Sequence, residues 1–187
     1  MKLSKLLEDV HQIRLLYESK GSFALVLRDL LQTSHTVWVL GGGLAVGYHA
    51  APRGTQDIDI FLSSEQQLRH LKDDLNDKFH QIGPHALEHK STGIEIETLT
   101  PEFLKIDQQI VDTAIRSAEM SDGIRVLSRE GLVALKLMRA NNRDKGDIEA
   151  IIQAGGPVSL DEYKLTSEQR QVYQALAEIV KHQQRLE

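Results

Sequence analysis

Apolar residues recur every three or four positions in two blocks at the start of the chain. The first block is Leu3, Leu6, Leu7, Val10, Ile13 and Tyr17; the second, beyond the break at Lys20-Gly21, is Ala24, Leu27 and Leu31. That spacing puts each set on one helical face, so two amphipathic helices are predicted. The pattern then changes. Val37-Trp38-Val39-Leu40 is a continuous apolar run that reads as a short buried strand, and it stops at Gly41-Gly42-Gly43. Leu44, Ala45, Val46 and Tyr48 resume as a short helix. In Asp57-Ile58-Asp59-Ile60-Phe61 acidic and apolar residues alternate, which is the signature of a strand with one buried face.

Farther on, Ser64 to Gln67 reads as a capping box opening a helix with the stripe Leu68, Leu71, Leu75 and Phe79, ended by Gly83-Pro84. Residues 85–90 and 93–99 predict paired strands around Ser91-Thr92, and Thr100-Pro101 starts another helix with proline at its first position. Alternation over Gln109 to Ile115 and Ile124 to Leu127 predicts two more strands. From Ser128 the chain is nearly all helix, over 128–141, 144–154 and 166–184, the last opened by a capping box of Thr166 and Gln169. Gly155-Gly156-Pro157 is the clearest linker, and no repeat or low-complexity segment is present. The expected architecture is α+β: a mixed sheet flanked by helices over residues 1–127, with a helical C-terminal part, 128–187, packed on that core.

The alternating strand also carries chemistry. Asp57 and Asp59 share one face, roughly 6–7 Å apart along the strand at about 3.3 Å per residue. Two such carboxylates repel each other unless a cation lies between them, and oxygen-only ligands suit Mg²⁺ or Mn²⁺. An isolated D-x-D is otherwise a solvated strand edge, so its context matters. Upstream, the strand–glycine–helix unit lets backbone N–H groups approach an anion with no Cβ in the way, aided by the positive end of the helix dipole. The turn is not a P-loop, which ends Gly-Lys-Ser/Thr, nor a G-x-G-x-x-G dinucleotide turn, because position 46 is Val.

A hydrophobic strand, Gly-Gly, a helix and then Asp-Ile-Asp-Ile resembles the nucleotidyltransferase superfamily typified by DNA polymerase beta. Gly42, Gly43, Asp57 and Asp59 match its two-part signature. The whole run from Gly42 to Ile60, with Pro52-Arg53-Gly54-Thr55 before the aspartates, is similar to the small bacterial nucleotidyltransferase-like proteins that include AbiEii-type toxins of toxin–antitoxin systems. The resemblance implies a nucleotidyltransferase-type fold. It also implies transfer of a nucleoside monophosphate from an NTP to an acceptor hydroxyl, with Mg²⁺ or Mn²⁺ held by Asp57, Asp59 and a third carboxylate. In Gly93-Ile94-Glu95-Ile96-Glu97-Thr98-Leu99-Thr100-Pro101 the family's acidic position falls on Glu97, with Glu95 the alternative on the same strand face. Glu there departs from the family's Asp, and its extra methylene shifts the carboxylate by more than about an ångström; a non-catalytic nucleotide- or partner-binding relative is therefore the alternative reading.

A further match, Glu130 to Met138 followed by Arg143-Asp144-Lys145-Gly146-Asp147, resembles the family's Lys-bearing helix and the start of its next helix. By that resemblance Lys136 reaches the nucleotide with Gly42, Gly43, Arg53 and Thr55, while Asp144 and Asp147 cap or brace the helix. The implied partners are an NTP, an acceptor that is tRNA, protein or small molecule, and a cognate antitoxin. A glycosyltransferase D-x-D site leaves the Gly-Gly turn unexplained.

Composition narrows this reading only modestly. The 187 residues are 41% hydrophobic and 26% charged with no cysteine, which excludes disulfides and thiolate metal sites. A net charge of −5 argues against broad, sequence-blind nucleic-acid binding. Between Arg116 and Lys145, however, seven basic residues face four acidic ones, an excess of three that suits a triphosphate and leaves tRNA open. The segment after Met1 contains Glu8 and Asp9 rather than an apolar h-region, and no stretch approaches the roughly 20 apolar residues of a membrane span. A cytoplasmic address is the default expectation. Histidines 80, 85 and 89 cluster in sequence without cysteines and are expected at the surface rather than on zinc.

Overall fold

The structure, a computed structural model, describes residues 2–8, 23–52 and 54–185. Val10, Ile13, Tyr17, the Lys20-Gly21 break and Arg53 lie outside the described residues. Helical residues 3–8 (α1) and α2 (Phe23–Thr33) precede β1 (Val39–Leu40), α3 (Gly42–His49), β2 (Asp57–Phe61) and α4 (Glu65–Leu75). β3 (Phe79–Gly83), β4 (Ala86–His89) and β5 (Glu95–Leu99) follow, then α5 (Pro101–Leu104), α6 (Gln108–Arg116), β6 (Glu119–Ser121) and β7 (Ile124–Val126). The chain closes with α7 (Arg129–Arg139), α8 (Asn142–Gly155) and α9 (Ser167–Gln183).

The seven strands form one sheet in the order β3-β4-β5-β2-β1-β7-β6. β2 and β5 run parallel at its centre, β1 is antiparallel to β2 and parallel to β7, and antiparallel pairs finish both edges. The sheet is mixed and flanked by helices, as the hydrophobic pattern predicts. Ile58, Ile60 and Ile96 are completely buried in the core. Each fully buried aliphatic side chain of this kind contributes roughly 1.5–3 kcal/mol, which fixes the facing of β2 and β5. Residues on their other face, including Asp57, Asp59 and Glu97, are thereby held away from that core.

Several caps form where the sequence places them. Ser128 accepts from the N–H of Gly131 at 3.1 Å, Thr100 from that of Phe103 at 3.2 Å with Pro101 in the first turn, and Thr166 and Gln169 complete a capping box. At α4 the box is displaced: Ser64 accepts from the N–H of Gln67, but the Gln67 side chain accepts from Ser63 rather than Ser64.

Three local expectations are corrected. Gln109 to Ile115 is not a strand but most of α6, because the Asp107 side chain caps the N–H of Gln109 at 2.8 Å and the buried set Ile110, Val111 and Ala114 follows a helical stripe. Phe79 does not extend the stripe of α4. That helix stops at Leu75, and Phe79 starts β3, paired with His89 of β4. Glu119 to Ser121, unassigned by pattern, becomes β6 through the turn Asp122-Gly123, whose φ values of +50° and +81° suit a two-residue hairpin. The same turn caps α1, since Ser121 Oγ and Asp122 Oδ2 accept from the N–H groups of Leu3 and Ser4 at 3.3 and 2.9 Å. Among the described residues no helix is long and apolar enough to cross a membrane.

Candidate active site

The parallel register of β2 and β5 places Asp57 opposite Glu95 and Asp59 opposite Glu97. Asp57, Asp59 and Glu97 each present a carboxylate oxygen, all within 4.8 Å of one another; this is the one group of three such side chains among the described residues. Glu95, the alternative third acid, is exposed and lies outside the group. Burial raises the Asp59 carboxyl to about 7, reinforced by the neighbouring Asp57 and Glu97 charges and a hydrogen bond shared with Glu97, against an opposing N–H bond from Gly43. Three half-buried acids this close are unfavourable while all are ionised. An oxygen-only, anionic donor set of this kind fits a hard divalent cation.

The glycine turn is built around the same acids. The N–H of Gly41 donates to the Asp59 carbonyl at 2.9 Å, which ties the end of β1 to β2. Gly42 has φ of +54°, and a Cβ there would lie 1.5 Å from Asp59 Oδ2. Only glycine lets α3 begin directly against that carboxylate. Leu44, Ala45, Val46 and Gly47 are buried, so α3 is anchored along its length and the turn has little freedom to drift. The phosphate-cradling turn and the acidic strand of the sequence reading are therefore neighbours in space.

Both line one cleft of about 130 Å³. Gly42, Gly43 and the three acids form its sheet side, Phe61, Leu99, Leu104, Ile106, Leu132 and Leu135 give it apolar walls, and Lys136, Arg139, Arg143 and Asp144 close the helical side. A second groove of about 490 Å³ shares Leu104, Ile106 and Arg139 with the first and carries Lys105 and Lys164 at its edge.

Lys136 lines the cleft, yet its ammonium group is buried and engaged: Nζ lies 2.7 Å from Asp147 Oδ2 and 3.3 Å from Asp144 Oδ1. Arg139 adds a bond to Asp144 Oδ1 at 3.1 Å, while Asp144 Oδ2 is buried with no hydrogen-bond partner among the described residues. Asp144 and Asp147 thus brace α7 against the start of α8. Thr55 is buried and donates its hydroxyl to Asp57 Oδ1 at 3.0 Å; it is absent from the cleft lining. The sequence reading gives Arg139 and Arg143 no role in the site. Their signal was available, since Arg139 lies one turn after Lys136 on the same helix and Arg143 adjoins the Asp144 motif.

The histidines separate. His80 is exposed, as expected, but His89 is 1% exposed and bridges Asp29 Oδ2 at 3.2 Å and Thr92 Oγ1 at 2.9 Å. His85 is half-buried and stacked on Phe103 with ring centroids 4.0 Å apart. Their surroundings are structural.

The fold is that of a nucleotidyltransferase. The crystal structure of an antigenic nucleotidyltransferase-like protein from Paracoccidioides brasiliensis superimposes with a TM-score of 0.56 at 18% identity, covering 82% of this chain and 85% of that one. The crystal structure of ANT(2")-Ia in complex with adenylyl-2"-tobramycin gives a TM-score of 0.48 at 11% identity, over 85% of this chain and 97% of that one. No curated protein matches the chain in sequence. Residues 25–185 match the family profile of the nucleotidyl transferase AbiEii toxins of Type IV toxin–antitoxin systems, and the chain belongs to that family.

Proposed function

We propose that Asp57, Asp59 and Glu97 bind Mg²⁺ or Mn²⁺ and that the cleft transfers a nucleoside monophosphate from an NTP to an acceptor hydroxyl. The observation that carries this reading is the convergence of the three carboxylates, within 4.8 Å, beside Gly42 and Gly43. When bound, divalent ions supply Lewis-acid stabilisation of the phosphoryl oxygens during in-line displacement. The acceptor oxygen forms a bond to the α-phosphorus as the bond to the bridging oxygen breaks and pyrophosphate leaves. Glu97 takes the hydroxyl proton.

The Gly42-Gly43 turn, with no Cβ in the way, lets the β- and γ-phosphates lie close against the backbone at the start of α3. Lys136, Arg139 and Arg143 form the cationic side. Lys136 divides its charge between Asp144 and Asp147, whereas Arg143 pairs with no acid among the described residues, so Arg143 contributes more to neutralising the triphosphate. The acceptor enters by the groove shared at Arg139. As a toxin of this family the protein is held in check by a cognate antitoxin.

Incubation with each α-³²P-labelled NTP, Mg²⁺ or Mn²⁺ and a cell extract tests the reading and reports the acceptor class. Label should enter RNA, protein or a small metabolite with the wild type and not with Asp57→Asn combined with Asp59→Asn. Equal labelling by the double variant, or none by the wild type with any NTP, would reject these roles.

A further inference from the structure

We infer that Thr55 is a positioning residue for the acidic group, acting through Asp57 and not by touching the nucleotide. The inference rests on the reading of Asp57 as a metal ligand and assigns Thr55 a different role from the nucleotide contact that the sequence resemblance implies.

Thr55 stands two residues before Asp57 on the chain entering β2, and the residue is 7% exposed. A threonine hydroxyl has a single proton to donate. Two acceptors are near: Asp57 Oδ1 at 3.0 Å and the Asp57 carbonyl at 3.4 Å. The closer, charged oxygen is the stronger acceptor, and burial keeps competing water away. The hydroxyl is therefore committed, and Thr55 forms no part of the cleft lining.

That commitment matters because the terminal torsion of an aspartate is broad and roughly two-fold, so a free carboxylate swings. Fixing one oxygen sets the direction of the other. The remaining acids have supports of their own, since Asp59 receives the Gly43 N–H and shares a hydrogen bond with Glu97. Thr55 is the corresponding support for Asp57. Partners that orient metal ligands typically change metal affinity about 10–100-fold when removed.

The test is Mn²⁺ affinity of the full chain without nucleotide, measured by calorimetry for wild type, Thr55→Val and Thr55→Ser. Valine preserves the β-branched shape and removes the donor; serine retains the donor. Thr55→Val should bind Mn²⁺ about 10–100-fold more weakly, Thr55→Ser should recover most of that loss, and the KM for NTP at saturating Mn²⁺ should stay at the wild-type value in Thr55→Val. In an Asp57→Asn background the valine substitution should have no additional effect on residual Mn²⁺ binding. Thermal unfolding in EDTA checks folding, and Thr55→Ala serves as the donor-less variant if valine prevents it.

Unchanged Mn²⁺ affinity in a folded donor-less variant would overturn the positioning role while leaving the metal centre intact. So would a raised KM for NTP at saturating Mn²⁺, which would mark a direct nucleotide contact. A wild-type protein that binds no Mn²⁺ would overturn both this inference and the metal-centre reading beneath it.

Discussion

Replacing Asp59 by asparagine should make the metal-free protein more stable while abolishing its metal-dependent chemistry. Asp59 carries a carboxyl raised from 3.8 to about 7, chiefly by burial and then by the charges of Asp57 and Glu97. At 1.36 kcal/mol per pH unit this rise corresponds to an upper limit of roughly 4 kcal/mol. The folded state prefers the protonated acid, so the cost is absent below the unfolded value of 3.8, grows as pH rises through that value toward 7, and is constant above about 7. Asparagine reproduces the neutral acid, with a carbonyl to accept from Gly43 and an amide to donate to Glu97. In EDTA at pH 8 Asp59→Asn should therefore unfold later than wild type. For a chain of this size, at about 2–4 °C per kcal/mol, the limit is a shift on the order of 10 °C. The gain should shrink to nothing near pH 4, and saturating Mn²⁺ should shrink it at pH 8 by stabilising only the wild type. Thermal melts across pH 4–8 with and without Mn²⁺ read this directly. A destabilised variant at pH 8 in EDTA, or a gain equal at pH 4 and pH 8, would refute the reasoning.

Gly42→Ala should abolish Mn²⁺ binding and lower stability by more than about 1 kcal/mol, because φ is +54° and the new Cβ would meet Asp59 Oδ2; calorimetry showing wild-type Mn²⁺ affinity would contradict this. Lys136→Met strips the buried cation from Asp144 and Asp147 and should cost about 3–5 kcal/mol in denaturant unfolding, since all three side chains are nearly inaccessible; a loss under about 1 kcal/mol would show that the cluster is not the brace described. Asp29 is held below the ordinary carboxylate value, although burial works against it, by the hydrogen bond from His89 and by Arg28 and Lys78. A depressed value gives stability that is present above 3.8 and lost as pH falls through the folded value. Asp29→Asn should then be less stable than wild type at pH 7, with the two converging in acid; a pH-independent difference would count against the pairing.

The site was legible because its determinants are local and periodic. Two-residue alternation alone orients Asp57, Asp59 and Glu97, and a glycine run after an apolar strand marks a close backbone approach. Alternation puts Glu95 and Glu97 on the same face, and only the family resemblance favours Glu97 in sequence; in space it is Glu97 that joins the two aspartates, while Glu95 is exposed. The pairing of Lys136 with Asp144 and Asp147 was likewise hidden, because it depends on how the chain reverses between α7 and α8, where Ala140 adopts φ of +46°. The contact between Thr55 and Asp57 spans only two residues, yet it forms across the bend before β2, where strand alternation does not apply.

Where the fold reading erred, a capping residue or a tertiary pairing overrode a short pattern. Asp107 decides α6, and without its cap the β-branched residues Ile110, Val111, Thr113 and Ile115 read as a strand. β3 is too polar to announce itself, with Phe79 its one buried side chain, and it exists through its ladder with β4. β6 was within reach through Asp122-Gly123, a strong two-residue hairpin signal.

The central claim, a divalent-metal centre made by Asp57, Asp59 and Glu97, is tested most directly by anomalous diffraction from crystals of the protein grown with Mn²⁺ and a non-hydrolysable NTP analogue. The account predicts manganese peaks among these three carboxylates, with the polyphosphate against Gly42 and Gly43. Manganese bound elsewhere, or a nucleotide seated away from this cleft, would contradict it.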